Sequence, residues 1–155
     1  MKVRNMRIFR IIGDQHGVAI VEFALVVPVL ALLTIGLAEF GFAYYAQSQV
    51  AIAAQTGLRE AYANGFDSSK ISNAVTNSTT QLTVSATPAP TKYCGCVVSN
   101  AVAASTCTGT NSCASGDKPQ DYVSVTAAAT YTPGFKLPGF PSSYNLISTA
   151  QGRLN

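Results

Sequence analysis

At 155 residues the chain has room for one ordinary domain, and for less once an apolar run near its start is set aside, which excludes a large enzyme core. Charged residues make up 11%, against roughly 25% in soluble globular chains, and a net charge of +3 is too small and too dispersed for a nucleic-acid partner. Four of the ten basic residues, Lys2, Arg4, Arg7 and Arg10, precede the apolar run, and that asymmetry gives the run a direction.

From Val18 to Ala38 there are 21 residues with a single charge, Glu22. As a helix they would span roughly 31 Å, the hydrocarbon thickness of a bilayer. The basic flank places the N-terminus in the cytoplasm and the rest of the chain outside, in a single pass. Phe40, Phe42, Tyr44 and Tyr45 would then either sit at the outer interface or pack within the outer domain. Pro28 removes one helical hydrogen bond, which membrane helices tolerate. Ala24, Ala31 and Ala38 recur every seven residues, a small-residue seam along which another helix can approach. A secretory signal peptide is the competing reading, with Gly36-Leu37-Ala38 or Gly41-Phe42-Ala43 as its cut. Its apolar part would be only about 7–15 residues, and it leaves Glu22 unexplained.

The cluster Gly17-Val18-Ala19-Ile20-Val21-Glu22-Phe23, after a short basic leader, resembles the processing site of type IV prepilins. The stretch "GVAIVEFALVVPVLALLTIGLAEFGFAYYAQSQV" resembles the TadE-like minor pseudopilins of tight-adherence (Flp-type, type IVb) pilus systems. The resemblance covers residues 1–62, and "DYVSVTAAATYTPGFKLPGFPSSYNLISTAQGRLN" is similar to the closing strands of TadE-like domains. It implies that a membrane-embedded aspartyl prepilin peptidase cuts after Gly17 and makes Val18 the new N-terminus. It also implies that Glu22 and Phe23 are the glutamate–aromatic pair of the processing and assembly motif. Phenylalanine in place of the tyrosine more common in major pilins points toward a minor pseudopilin. The implied role is in assembly or initiation of a bacterial pilus used in cell adhesion. The implied partners are the peptidase, other pilins or pseudopilins of the same system and the inner membrane, with the C-terminal domain periplasmic or carried into the pilus.

Elementary chemistry gives Glu22 a task of its own. Cleavage after Gly17 would leave an ammonium group on Val18, with an ordinary pKa of about 7.7–8.0. Glu22 lies four residues on, where the two groups share a helix face. It can neutralise its own N-terminus or a neighbour's, and pairing counts for more in a low-dielectric bilayer than on a wet surface. The plainer alternative is an interfacial glutamate reaching toward headgroups.

Beyond the span, "FAYYAQSQVAIAAQTGLREAYANG" continues the helical pattern to a stop at Asn64-Gly65. Val18 to Ala63 as one helix would be a pilin-like spine roughly 69 Å long. Tyr44, Val50, Leu58 and Tyr62 would turn toward the outer domain, and Gly57 interrupts the pattern. Asp67 is placed to cap a short helix over "SSKISNAVTN". "QLTVSAT" and "DYVSVTAAATY" then alternate as half-buried strands, with Leu82, Val84 and Ala86 on one face and Val123, Val125 and Ala127 on another; "SYNLISTAQGRLN" is a weaker final strand. The expected fold is therefore α+β: a long N-terminal transmembrane helix packed on a small antiparallel β-sheet domain with disulfides. Its parts are a leader (1–17), the span (18–38), the helix continuation (39–64) and an exported domain (65–155).

Cys94, Cys96, Cys107 and Cys113 all fall in that outer part, where an oxidising location favours disulfides. Zinc is the alternative, but the spacing lacks the two-residue knuckles of zinc ribbons, so no metal and no cofactor is assigned. Cys94 and Cys96 point to the same face of an extended strand and cannot join each other without strain. A hairpin around Ser99 to Ser105 would bring Cys107 opposite Cys96 and leave Cys113 near Cys94, giving nested Cys96–Cys107 and Cys94–Cys113 bonds. No catalytic residues emerge. The only histidine, His16, lies in the leader, and Asp117 and Asp121 read as solvated loop acids. A periplasmic enzyme has no residues to support it. An unprocessed single-pass anchor displaying a disulfide-bonded binding or adhesion domain is the alternative to the pseudopilin.

Overall fold

The structure, a computed structural model, describes residues 15–98, 101–106, 113, 116, 118–135 and 141–154. Its elements are α1 (Gln15–Asn64), α2 (Ser68–Thr76), β1 (Val84–Ser85), β2 (Thr91–Val98), β3 (Ala101–Ala104), β4 (Gln120–Tyr131) and β5 (Tyr144–Arg153). The fold is α+β, with a long apolar N-terminal helix and an antiparallel sheet. The chain divides into two compact units, Met1–Ala38 and Glu39–Asn155. The described part of the first is helix alone. Every large apolar side chain in it from Val18 to Leu33 is exposed, so it has no core of its own.

α1 passes through both Pro28 and Gly57 without a break and stops at Asn64. Gly65 follows at φ +78°, a left-handed conformation that costs glycine little and ends a helix. Asp67 then caps α2, its carboxylate accepting from the Ser69 and Lys70 amides. This answers two of the four unpaired donors at a helix start.

The core belongs to the second unit. Ala46, Val50, Ala53, Ala54 and Ala61 of α1 are buried, at the spacing of one helix face. All of these but Ala46 share one core with Ile71 and Val75 of α2, Val84 of β1, and Val123, Val125, Ala127 and Ala129 of β4. Gly57 lies at the closest approach: a Cβ there would sit 2.5 Å from Val75 Cγ2 and 2.9 Å from Val125 Cγ1. The face expected from sequence holds for Val50, which is buried, and Leu58, which packs against the core. It does not hold for Tyr44, which is 72% exposed. Tyr62 is half-exposed, yet its ring lies against β5 at Gly152, where a Cβ would collide with the tyrosine hydroxyl.

β4 is the centre of the sheet. One edge pairs with β5 from Tyr122↔Arg153 to Tyr131↔Tyr144. The other pairs with β2 near its start and β1 near its end, and β3 lies outside β2. Paired residues share a face, so Val123, Val125, Ala127 and Ala129 line the core side with Gly152, Ala150, Ser148 and Leu146. Tyr122, Ser124 and Thr126 take the other side, where Thr126 and Thr149 hydroxyls bond at 2.9 Å and the Tyr93 and Tyr122 rings stack 6.0 Å apart.

Two sequence expectations need correction. Cys96 bonds to Cys113, not Cys107, and Cys113 is therefore unavailable to Cys94. The reason is register. Val98 pairs with Ala101, so the β2–β3 hairpin turns earlier than expected and brings Ala103, not Cys107, opposite Cys96. Cys94 is also disulfide-bonded, and Cys107 lies outside the described residues. Asp121 is not a loop acid. It lies on β4 beside Lys92 of β2, with an N–O distance of 2.9 Å, both side chains about half exposed. Asp117 lies outside the described residues.

Candidate functional site: the apolar helix and the acid that follows it

The first turn of α1 contains Gly17 and Val18, and nothing stands within 4 Å of where a Gly17 side chain would begin. Val18, Glu22 and Phe23 are all exposed on the helix, Phe23 at 68%. Glu22 follows Val18 by one helical turn, the spacing at which an amine on Val18 and the carboxylate share a face. The Glu22 carboxylate has no hydrogen bond or ion pair among the described residues, although a carboxylate in an apolar setting is costly without one. His16 lies in the same turn, and its side chain is outside what the structure describes.

The rest of the apolar stretch is exposed on all sides, as a helix surrounded by lipid or by other helices would be. α1 holds a stretch long and apolar enough to cross a membrane. Thr34 keeps its hydroxyl satisfied within the helix by donating to the Leu30 carbonyl. Ala24, Ala31 and Ala38 are exposed as well.

A second acid escaped sequence reasoning. Glu39, the first residue after the span, accepts from the Tyr131 hydroxyl at 3.1 Å and from the Phe135 amide at 2.9 Å. Gly134 lets the loop come this close, since a Cβ there would lie 3.1 Å from Glu39 Oε1. Partial burial, then the hydrogen bond and charge of Glu39, raise the Tyr131 phenol above its ordinary value. Two further ties join α1 to its domain: Tyr45 donates to Gln81 Oε1 at 3.1 Å and Gln47 to the Ile147 carbonyl at 3.2 Å. The only signal in sequence was a glutamate ending an apolar run, with nothing to say that its partners lay 92 and 96 residues away.

No group of three or more metal-ligating side chains occurs among the described residues. A groove of about 740 Å³ opens beyond the end of α1, between Tyr62, Phe66, Lys92, Asp121 and Arg153. Its charged walls contain the Lys92–Asp121 pair and no nucleophile–base arrangement. What the sequence singled out is thus a helix surface rather than a pocket. Residues 17–59 match the family model described as TadE-like protein. That match lies wholly within α1 and takes in none of the sheet. No curated protein and no solved structure matches the chain.

Proposed function

From the TadE-like character of residues 17–59 we infer that this protein is a minor pseudopilin of a tight-adherence pilus system, matured by a prepilin peptidase and acting in pilus assembly or initiation. The observation that carries the reading is where the match begins: at Gly17, the residue before the expected cut. The helix behind it is long and apolar enough to wait in the inner membrane before it packs among other pilin helices. The four basic residues ahead of the span favour a cytoplasmic N-terminus and an exported C-terminal domain. Within the second unit the residues form a core, a salt bridge between strands and a disulfide, which suit a domain exported to an oxidising compartment.

Under this reading Glu22 receives the Val18 ammonium, its own or that of a neighbouring subunit. The test is the N-terminus of protein recovered from membranes containing the cognate peptidase. Intact mass should show loss of the first 17 residues, and Glu22→Ala should be inserted and cut normally yet fail to enter pilus complexes. An uncut chain would point instead to a simple anchor. Normal piliation by Glu22→Ala would remove the pairing role.

A further inference from the structure

We propose that Phe135, in the segment that leaves β4, docks into the outer surface of the lipid bilayer, and that Glu39 is the latch that holds it there. The inference rests on the reading that α1 is membrane-inserted. The apolar run ends at Ala38, so Glu39 marks the boundary between hydrocarbon and headgroups. That residue binds the segment directly, through the Phe135 amide at 2.9 Å and the Tyr131 hydroxyl at 3.1 Å. The backbone of Phe135 is thereby tied to the helix at the level where the bilayer surface lies.

The side chains at that level are those a bilayer surface favours. Phe135 is 61% exposed, Phe40 71% and Phe42 62%. One exposed phenylalanine needs no explanation, but here two on α1 lie within three residues of Glu39 and the third is bonded to it through its own amide, so three exposed rings belong to segments that meet at one carboxylate, an apolar collar. In water such a collar is unfavourable. At a membrane interface aromatic rings are enriched and an apolar face can sink roughly 5–10 Å into the headgroup boundary. A carboxylate and a backbone amide would both be costly at that depth without partners. Glu39 and Phe135 are partners for each other, so the latch meets the polar demand of the site while its rings face outward. A lipid surface fits this collar better than a protein partner because the collar continues directly from the span.

The chain contains no tryptophan, so Phe135→Trp in the full-length protein gives a single indole that can be excited selectively over the tyrosines. In phosphatidylcholine–phosphatidylglycerol vesicles its emission should be blue-shifted, lost for the most part when acyl chains are brominated near the headgroup, and insensitive to aqueous iodide. Adding Glu39→Ala should restore most of the emission and admit iodide. Tyr131→Phe, which removes only one donor and spares the acid, should give a smaller change in the same direction. Separately, Leu30→Trp should be quenched by bromine deep in the acyl chain. If Trp at 30 is quenched while Trp at 135 stays open to iodide, the anchor stands and the docking proposal falls. If neither is quenched, both readings fall. Equal quenching of Trp at 135 with and without Glu39 would overturn the latch.

Discussion

Gly57 tests which of two opposed effects governs a helical glycine. In an open helix position, replacing glycine by alanine gains up to about 1 kcal/mol from propensity. Here the added methyl would meet Val75 and Val125, both fully buried, at distances no real Cβ shows. Overpacking of that kind costs about 1–3 kcal/mol, and neither branched side chain has room to turn away. Gly57→Ala should therefore destabilise the second unit by about 1–2 kcal/mol in chemical denaturation, since the packing loss exceeds the propensity gain. Sequence reading recognised the glycine as an interruption in a helical pattern. Its purpose needed the positions of α2 and β4, which lie elsewhere in the chain. Glu39 is the same case: a visible charge whose two donors are distant in sequence.

Among the elements, β4 and β5 were legible because apolar and small polar residues alternate along them, and α2 because Asp67 and its apolar positions mark both its start and its buried side. The register of β2 against β3 was not, although a hairpin was expected there. "TKYCGCVV" has a glycine where alternation would be read, and that glycine makes room for Val102 of β3 and the Tyr122 ring of β4. A small difference in where the hairpin turned was enough to misassign both cysteine pairs. Non-reducing peptide mapping should recover Cys96 joined to Cys113. Replacing both by alanine should cost about 2–4 kcal/mol on a chain-entropy account of the loop they close.

The β4–β5 connection carries a pH signature as well. Tyr131 is held above its ordinary value near 10, so the folded state favours the neutral phenol. The corresponding stability is complete below that ordinary value and is lost as pH rises through the folded one. A tyrosinate absorbance titration should show a late-titrating phenol that is absent in Tyr131→Phe.

For the molecule as a whole, the two units have opposite needs. Residues 18 to 33 expose their large apolar side chains, whereas the core from Ala46 to Ala129 is formed without them. A chain beginning at Glu39 should fold in water with a cooperative melt and its Cys96–Cys113 bond, while the full chain should require detergent or lipid. A fragment that stayed unfolded would show that the first unit supplies something the core lacks. Retaining Glu39 in that fragment matters, because it keeps both acceptors for Tyr131 and Phe135.

The central position of β4 also sets an order of events during synthesis. α1 leaves the ribosome first, yet the valines that cover its Val50 and Ala53 arrive only with β4, and the partner along β4's other edge, β5, comes last of all. Contacts so distant along the chain cannot form until nearly the whole polypeptide has been made, and closing them is slow. Until then the buried face of α1 and the unpaired edges of β1 and β2 are open to wrong partners. The nascent protein thus has an interval in which its first helix is complete while the elements that cover it are still unfolded. A holding chaperone would act within this interval, and premature termination inside β5 would leave β4 with one bare edge.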